Sequence, residues 1–280
     1  TRARQRLNTV REDKVQETSL APYLSSTQQW TDYFRSQVGV RTDTYFFDVR
    51  SDKAANSGKN YDTVFSPKVA LVFGPWAKTR IFLNYGEGFH SNDARGVTLK
   101  VDPRDVVTPA YAVPGLVKAT GMEIGATTSI VPDLKLTGSL WSLNLDSELV
   151  YGGDSGTSNP SGASKRYGVE VSAYYSPLPW LVIDSDIAFA HARIDSPAGD
   201  RIPNAIENVF ALGVTVPETH GWSGGLRLRQ LGPAPLIEDN SARAKPTTVV
   251  NAQAGYRFLE RYSATIEMLN VLDSGDNDIT

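Results

Sequence analysis

Residues 166–193 read RYGVEVSAYYSPLPWLVIDSDIAFAHAR, and this stretch decides which fold classes are open to the chain. In its first half, Val169, Val171 and Ala173 alternate with Glu170 and Ser172. Side chains of an extended chain point to opposite sides in turn. The alternation therefore predicts a β-strand whose two faces meet different surroundings.

The second half of the stretch predicts a return strand. Two prolines interrupt the segment 176–179, and because proline has no N–H for a ladder, the first strand is expected to end there. Beyond it, Ile183 and Ile187 fall on one face, with Asp184 and Asp186 on the other. A soluble sandwich would bury the apolar face and a membrane barrel would turn it to lipid, and one hairpin fits both.

The composition excludes several classes of function. The chain has 280 residues and a formal net charge of −3, without the basic surplus of a nucleic-acid-binding domain. It has no cysteine, and its three histidines lack the spacing of metal ligands, so neither a metal nor another cofactor is predicted. No apolar run approaches the ~20 residues of a membrane helix, but barrel strands, which are only half apolar, remain possible.

Alternating segments of roughly 10–15 residues follow one another along the chain, about the length of tilted barrel strands. Almost nothing has a helical period. A change of phase near Leu140 and Trp141 predicts a β-bulge or a misassigned register. The predicted strands are 15–25, 31–49, 62–74, 78–89, 119–131, 134–151, 165–176, 180–193, 206–217, 221–232, 246–258 and 261–271.

The connections alternate between short and long ones. The short connections are STQQWT (26–31), GPWAKT (74–79), VPDL (131–134), SPLPW (176–180), PETHGW (217–222) and FLERY (258–262). The long connections, rich in Gly, Ser, Asn, Asp and Pro, are 50–61, 90–118, 152–164, 194–205 and 233–245. Outer-membrane barrels have this asymmetry, with short periplasmic turns and long extracellular loops, whereas a Greek-key sandwich would mix the two lengths.

Tryptophan placement is a second, independent signal. Trp30, Trp76, Trp180 and Trp222 lie in or beside short turns, and Trp141 alone lies in the middle of a predicted strand. An indole ring favours the bilayer–water interface, where barrels carry aromatic girdles. Tryptophan also caps hairpins in soluble proteins, but that role would not confine it to one end.

Six stretches resemble the barrel of TonB-dependent outer-membrane receptors and follow one another in that family's order. They are GVRTDTYFFDV (39–49), FSPKVALVFGP (65–75), IFLNYGEGFHSNDARG (81–96), GMEIGATTSIVPDLKLTGSLWSLNLDSELV (121–150), RYGVEVSAYY (166–175) and EMLNVLDSG (267–275). The resemblance implies an all-β fold: an antiparallel transmembrane β-barrel present in part, as roughly 12 strands of a larger barrel. Residues 1–280 would supply roughly strands ten to twenty-one of the family's twenty-two, without an internal domain boundary.

The resemblance also implies a function and partners. The family takes up scarce nutrients, such as iron–siderophore complexes or cobalamin, across the outer membrane of Gram-negative bacteria. The implied partners are outer-membrane lipid, an N-terminal plug domain, the TonB energy-coupling complex and a small-molecule nutrient. The sequence contains no recognisable plug, energy-coupling box or final strand with a closing aromatic residue, so it is expected to be a fragment. Two unpaired edges in hydrocarbon are costly, so this part alone is not expected to transport.

Charged residues on the polar side of the predicted strands are expected to line the barrel lumen. Asp184 and Asp186, or Asp146 and Glu148, share a face and could act as paired acids. Ion pairs with neighbouring strands or with the plug are the favoured interpretation, and no catalytic residue is predicted. The expected lumen-facing residues are Arg41, Asp43, Lys68, Glu123, Glu170, Asp184, Asp186 and Glu267.

The long loop after YGEGF carries the predicted ligand-binding residues His90, Asn92, Asp93 and Arg95. A polar or anionic chelate would meet them first at the rim, where arginine offers a fork of donors to carboxylate-like groups. A solvated loop without ligand contact is the alternative. The neighbouring His, Ser and Asp of this loop do not predict a catalytic triad, because a triad is assembled on fixed supports.

A stand-alone outer-membrane barrel of about twelve strands, a porin or a barrel enzyme such as a phospholipase, is the second class of function. It predicts an aromatic residue at the end of the last strand, and Asp278-Ile279-Thr280 does not supply one. A plug of ~100–150 residues encoded upstream of Thr1 would favour the receptor.

Overall fold

The computed structural model describes residues 11–152, 157–196 and 199–274. One large antiparallel sheet dominates these residues, so the all-β prediction is confirmed. Its strands are β1 (Asp13–Leu20), β2 (Tyr23–Thr31), β3 (Phe34–Ser51), β4 (Gly58–Trp76), β5 (Thr79–Ser91), β6 (Leu116–Thr128), β7 (Leu134–Leu145), β10 (Ser164–Leu178), β11 (Leu181–Ile194), β12 (Asn208–Thr219), β13 (Trp222–Leu231), β16 (Thr247–Phe258) and β17 (Tyr262–Met268). Two small hairpins, β8 (Glu148–Gly152) with β9 (Thr157–Ser161) and β14 (Ala234–Pro235) with β15 (Arg243–Ala244), lie in the long loops. The helical segments are a 3-10 turn at Ala54–Asn56 and α1 (Ala94–Val97).

The large sheet is an up-and-down meander. β1 and β2 pair with different halves of β3, and each large strand from β3 onward pairs with the next one. The 13 strands of the sheet therefore occupy twelve positions across it, the number predicted.

All the tight turns lie at one end of the meander and all the long loops at the other. Three of the tight turns have consecutive residues with positive φ: Ala77 and Lys78 at 45° and 62°, His220 and Gly221 at 52° and 85°, and Leu259 and Glu260 at 52° and 58°. Two positive φ values in a row are the backbone requirement of type I′ turns, which match the right-handed twist of paired strands. The two ends are called the short-turn end and the long-loop end below.

The predicted turn at STQQWT is wrong. These residues belong to β2, and the chain turns at Asp32 and Tyr33 instead. The interruption lies earlier, between Leu20 and Tyr23, where Pro22 cannot donate to a ladder but accepts a hydrogen bond from the N–H of Thr42 at 3.0 Å.

The β-bulge predicted near Leu140 and Trp141 is also wrong. β7 pairs in unbroken register with β6 and with β10 along its length. The phase of its apolar residues changes because Trp141, Leu143 and Leu145 lie on the other face from Leu136 and Leu140.

Register shifts occur instead beside the short turns. They lie between Gln29 and Thr31, Phe73 and Trp76, Tyr175 and Leu178, and Val216 and Thr219. β10 continues to Leu178, so the predicted end of this strand at the first proline is too early: the register shift accommodates Pro177.

The sheet has one apolar and one polar face. A row of directly paired residues crosses six strands on the apolar face: Leu71, Leu83, Ile124, Leu140, Val169 and Phe189. The adjacent row, on the polar face, is Ala70, Asn84, Glu123, Trp141, Gly168 and Ala190. Leu140 and Phe189 of the apolar row are 55% and 58% exposed, unlike the apolar residues of a soluble core.

Aromatic side chains gather at the short-turn end. Trp222 packs on Tyr256 with ring centroids 4.6 Å apart, and Tyr33 stacks on Trp76 at 6.4 Å. Trp30 Nε1 donates to Ser36 Oγ at 2.7 Å. These rings are amphipathic groups at one edge of an exposed apolar face, the arrangement of an aromatic girdle.

Candidate functional site

The polar face carries all eight residues predicted to line a lumen. Residues paired directly across an antiparallel sheet share a face, so the strand registers make this assignment. The residues are Arg41, Asp43, Lys68, Glu123, Glu170, Asp184, Asp186 and Glu267. That this face encloses a lumen stays a prediction.

Arg41 and Asp43 form an ion pair two residues apart on β3. Arg41 Nη2 lies 2.7 Å from Asp43 Oδ1 and Arg41 Nε lies 2.8 Å from Oδ2. The Asp43 side chain is fully buried, whereas 53% of the Arg41 side chain is exposed. A buried carboxylate needs such a partner, so Asp43 fixes the guanidinium with its outer edge open to the polar face.

Lys68 lies beside this pair on β4. A Cβ on Gly39, its direct partner, would come within 2.7 Å of Lys68 Cε, so the lysine stem lies flat across the glycine. Arg41, Asp43, Ser66 and Lys68 line a groove of about 470 Å³. Glu87 also lines this groove, with Oε2 3.7 Å from Lys118 Nζ, so both carboxylates of the groove are ion-paired and Lys68 is the cation left for an anionic group.

Asp184 reaches over one strand to an arginine on the next. It lies opposite Gly213 of β12, and Gly213 lies opposite Arg227 of β13. Arg227 Nη2 donates to both carboxylate oxygens of Asp184, at 2.9 and 3.1 Å. A Cβ on Gly213 would come within 2.4 Å of Asp184 Oδ1, so this ion pair depends on the glycine between its partners.

The row across β5, β6, β7 and β10 contains contacts that the sequence did not predict. Asn84 Nδ2 donates to Glu123 Oε2 at 2.9 Å, and Glu123 lies opposite Trp141. The Trp141 ring lies over Gly168, where a Cβ would come within 2.7 Å of Trp141 Cζ2. Asn84, Trp141 and Arg227 are thus polar-face residues that sequence reasoning missed. A glycine lies directly opposite Trp141 and Arg227, but this signal requires the register, and Asn84, which lies opposite Ala70 and Glu123, has no such signal.

The other three predicted lumen residues lie among small or polar neighbours. Their direct partners on the same face are Ser139 and Ala188 for Glu170, Ser172 and Ala211 for Asp186, and Gln253 for Glu267.

The loop after β5, residues 92–115, folds over the polar face of β3; it is called the covering loop below. Ala94, Val97 and Val113 form a buried cluster with Phe47 and Val49, which lie on that face. The covering loop therefore supplies the apolar partners that this face otherwise lacks at the long-loop end.

The ends of β5 and β6 next to the covering loop extend beyond the part of β5 that is paired with β4. β5 is paired with β4 only as far as Gly86, whereas its pairing with β6 continues to Ser91. Above that point, Phe89 packs edge-on against Tyr45 of β3, with ring centroids 5.8 Å apart. The N–H of Leu116 donates to Asp62 Oδ2 at 3.0 Å.

Asn56 holds the covering loop from the neighbouring connection. Its side chain is fully buried, and Oδ1 accepts from the N–H groups of Lys100 and Val101 at 2.9 and 3.0 Å. Nδ2 donates to the carbonyl of Val101 at 2.9 Å, and Thr98 Oγ1 donates to the carbonyl of Asn56 at 2.9 Å. Four hydrogen bonds thus fix residues 98–101, which gives this long loop a defined conformation.

The four predicted ligand residues each make contacts within the protein. Asn92 is 5% exposed, and its Nδ2 donates to the carbonyl of Pro114 at 2.6 Å. Asp93 caps α1 by accepting from the N–H of Arg95 at 2.9 Å and pairs with the guanidinium of Arg95. This guanidinium holds the pKa of Asp93 below its usual value. His90 Nε2 lies 3.3 Å from the carbonyl oxygen of Ser147. Ligand binding by these residues stays a prediction.

Within residues 11–152, 157–196 and 199–274, no three His, Asp or Glu side chains come together as a metal site would require. In the same ranges, no helix is both long and apolar enough to span a membrane.

Comparisons with known proteins agree with this architecture. A family model described as "TonB dependent receptor-like, beta-barrel" matches residues 3–271. Among solved structures, "Copper transporter OprC" is 17% identical with a TM-score of 0.74, over 92% of this chain and 44% of that one. The ferric yersiniabactin uptake receptor FyuA from Yersinia pestis is 16% identical with a TM-score of 0.73, over 94% and 42%. The alcaligin outer-membrane receptor FauA from Bordetella pertussis is 16% identical with a TM-score of 0.67, over 92% and 43%.

The chain spans less than half the length of these structures, and at such low identities they establish the fold alone. That fold is the barrel, present here as a partial, unclosed sheet. The family match covers nearly the whole chain. This chain belongs to the TonB-dependent receptor β-barrel family.

Proposed function

We propose that this chain is the part of an outer-membrane receptor barrel that admits a scarce nutrient, such as an iron–siderophore complex or cobalamin, in TonB-energised uptake. One observation carries the proposal. A sheet that exposes an apolar face has a charged opposite face, and an ordered loop covers that charged face at one end only.

The apolar face supports a place in lipid. Its central row is exposed on five of its six strands, and a soluble monomer rarely leaves such a continuous apolar surface open to water. The girdle-like rings at the short-turn end support an interface at that level, with the tight turns in the periplasm and the long loops outside the cell.

The edges of the sheet support a larger barrel. In the described ranges, β17 pairs only with β16, and β1 and β2 pair only with β3. Open edges in hydrocarbon leave backbone groups unsatisfied at a cost of several kcal/mol each. We therefore place this chain within one barrel domain whose further strands, together with a plug inside the lumen, belong to the same receptor.

The polar face supports a selective path rather than an open pore. The covering loop blocks part of it at the long-loop end, and Lys68, in the groove beside the Arg41–Asp43 ion pair, offers a cation to an anionic chelate or to plug carboxylates. A porin of about twelve strands would need that face to line an open channel.

Uptake in cells that carry or lack the full-length gene tests the proposal. Radiolabelled ferric siderophores and cobalamin are supplied to nutrient-limited cells, with and without a protonophore. The proposal expects uptake of one of them that depends on the gene and stops when the proton gradient collapses. Gene-dependent entry of small solutes that persists with the protonophore would favour the porin instead.

The ligand prediction for the loop is tested in the same cells. Replacing His90 and Arg95 with Ala is expected to weaken binding of the transported nutrient in a direct titration while the barrel still assembles. Unchanged affinity would leave these side chains as parts of the loop's own structure.

A further inference from the structure

Two pairs of like charges lie directly opposite each other on the apolar face, both at the long-loop end. Lys165 of β10 pairs with Arg193 of β11, and Lys14 of β1 pairs with Arg50 of β3. Like charges at directly opposed positions repel and destabilise a strand pair. Their repetition at one level of one face points to a negative charge supplied from outside the sheet.

The neighbours of the first pair neutralise only one of its two charges, that of Arg193. On its other side, Lys165 lies opposite the uncharged Asn144. Arg193 Nε lies 2.9 Å from Asp200 Oδ2, a carboxylate that is itself 67% exposed, and the exposed Asp195 follows two residues later. Among the described residues, no carboxylate is ion-paired with Lys165. Its side chain is exposed, so the ammonium is accessible to an anion from outside the described part of the chain.

The rows of directly paired residues between this charged pair and the middle of the sheet differ in chemical character. One row toward the middle of the sheet, Tyr167 lies opposite His191 with ring centroids 5.0 Å apart. One row further, Val169 lies opposite Phe189, at 40% and 58% exposure. The rows therefore run from cations through aromatic rings to an apolar surface. This order matches the headgroups, the interface and the acyl chains of a bilayer leaflet.

The second pair, on a distant part of the sheet, also has aromatic rings toward the middle of the sheet, but one row that contains a carboxylate lies between. Beyond Lys14 and Arg50 comes a row in which Asp48 and Lys59 form an ion pair, with Lys59 Nζ 3.1 Å from Asp48 Oδ2. In the next row, Phe46 packs against Tyr61 with centroids 6.5 Å apart.

We propose that Lys165 and Arg193 bind the phosphate of an outer-leaflet lipid whose acyl chains lie along the apolar face below them. The inference rests on the membrane embedding proposed above. Arginine brings a planar fork of donors and lysine a compact charge, a combination that fits a phosphate group. A free phosphate ion would meet the same cations but would gain nothing from Tyr167 and Val169.

Lipid binding to the purified full-length protein tests this site. Bisphosphorylated lipid A is titrated into the detergent-solubilised protein, and bound lipid is counted by native mass spectrometry. The double variant Lys165→Gln, Arg193→Gln is expected to bind about thirtyfold more weakly, about fivefold for each charge removed. Lys165→Arg with Arg193→Lys should retain binding.

Lys135→Gln is the matched control, because it removes the same charge from the polar face at the short-turn end. It should bind lipid A as the wild type does. If the double variant fails to assemble, the single variant Lys165→Gln is tested instead, and its affinity for lipid A is expected to fall about fivefold.

Three results would overturn the proposal: unchanged affinity in the folded double variant, equal binding of dephosphorylated lipid A, or displacement of lipid A by millimolar inorganic phosphate. The membrane placement itself fails only if the wild-type protein does not insert into outer membranes. Insertion without lipid A binding would sink this inference alone.

Discussion

Glu170 and Val171 are neighbours in β10, yet they meet opposite surroundings. Val171 lies opposite Ile187 on the exposed apolar face, whereas Glu170 lies opposite Ser139, a largely buried residue on the polar face. In a soluble sheet the apolar face would be the packed one. The effect of a charged substitution on the stability of this sheet should therefore depend on the face it occupies. A charge should be destabilising on the lipid-facing apolar face and tolerated on the polar face.

The largest expected effect is that of a charge on the apolar face. Val171→Arg should destabilise the full-length protein in bilayers by about 2–4 kcal/mol, because it places a guanidinium against lipid near the midplane. Glu170→Arg, one residue away, should cost much less, because its face is polar. Urea titration in lipid vesicles measures both, and equal costs would remove the distinction between the faces.

The next prediction concerns the covering loop, which packs on the polar face. Asn56→Ala should destabilise residues 98–101 by about 1–3 kcal/mol, because the N–H groups of Lys100 and Val101 lose the buried side-chain oxygen that accepts from them. Faster hydrogen exchange confined to the covering loop is the expected observation.

Asn60→Ala is the control for this change. Asn60 is exposed, and its side chain accepts only from the adjacent N–H of Tyr61, at 2.9 Å. Similar exchange in the two variants would mean that Asn56 does not hold the loop.

A smaller effect compares two glycines on opposite faces. Gly213→Ala should displace Asp184 from Arg227 and cost about 0.2–1 kcal/mol, because the new Cβ would come within 2.4 Å of Asp184 Oδ1. Gly224→Ala on the apolar face has its nearest neighbour, the carbonyl oxygen of Gln253, at 3.5 Å and should be accommodated. The coupling energy between Asp184 and Arg227 is measured by a double-mutant cycle that removes each partner, Arg227 by Arg227→Gln, in the wild-type protein and again in Gly213→Ala. Coupling that survives Gly213→Ala contradicts this account of the glycine.

The smallest effect is a pH dependence at the tip of the covering loop. Hydrogen bonds from the Thr108 hydroxyl and from the N–H groups of Val107 and Thr108 lower the pKa of Asp105 from 3.8 to about 2. A lowered folded-state pKa means that the stabilisation is complete above about pH 4 and is lost as the pH falls through about 2. Amide chemical shifts of Val107 and Thr108 should therefore change only in this acid range. Asp105→Asn should abolish that change, and its persistence would assign the titration to another group.

The sequence sufficed to predict the strands, since alternation identifies a strand wherever two faces differ. It failed where alternation is weak. Ser26 to Thr31 is almost uniformly polar and resembled a turn, although it pairs along β3. In β7 the move of large apolar residues to the polar face resembled a bulge, and the reason, a slot above Gly168 for Trp141, exists only once β10 lies beside β7.

Of the candidate site, the sequence predicted which charged residues share a face but not their partners. Asp184 and Arg227 are 43 residues apart, and their contact depends on a third strand between them. The covering loop was expected to carry ligand-binding residues at the rim or, as the alternative, to be solvated, and packing of this loop on the sheet was not predicted. Its Ala94, Val97 and Val113 are too widely spaced to indicate a buried cluster until Phe47 and Val49 lie beneath them.

The central claim is that the apolar face meets lipid and the polar face meets water, and single-cysteine spin labelling tests it most directly. The chain has no native cysteine, so each label is unique within it. In the full-length protein in bilayers, labels at Val169, Val171, Ile183, Ile187, Val250 and Ile266 should be relaxed by oxygen, which concentrates in lipid. Labels at Glu170, Asp184, Asp186, Asn251 and Glu267 should respond instead to a water-soluble nickel chelate. Shielding of the first set from both reagents would mean that the apolar face is buried in protein, and it would contradict the barrel.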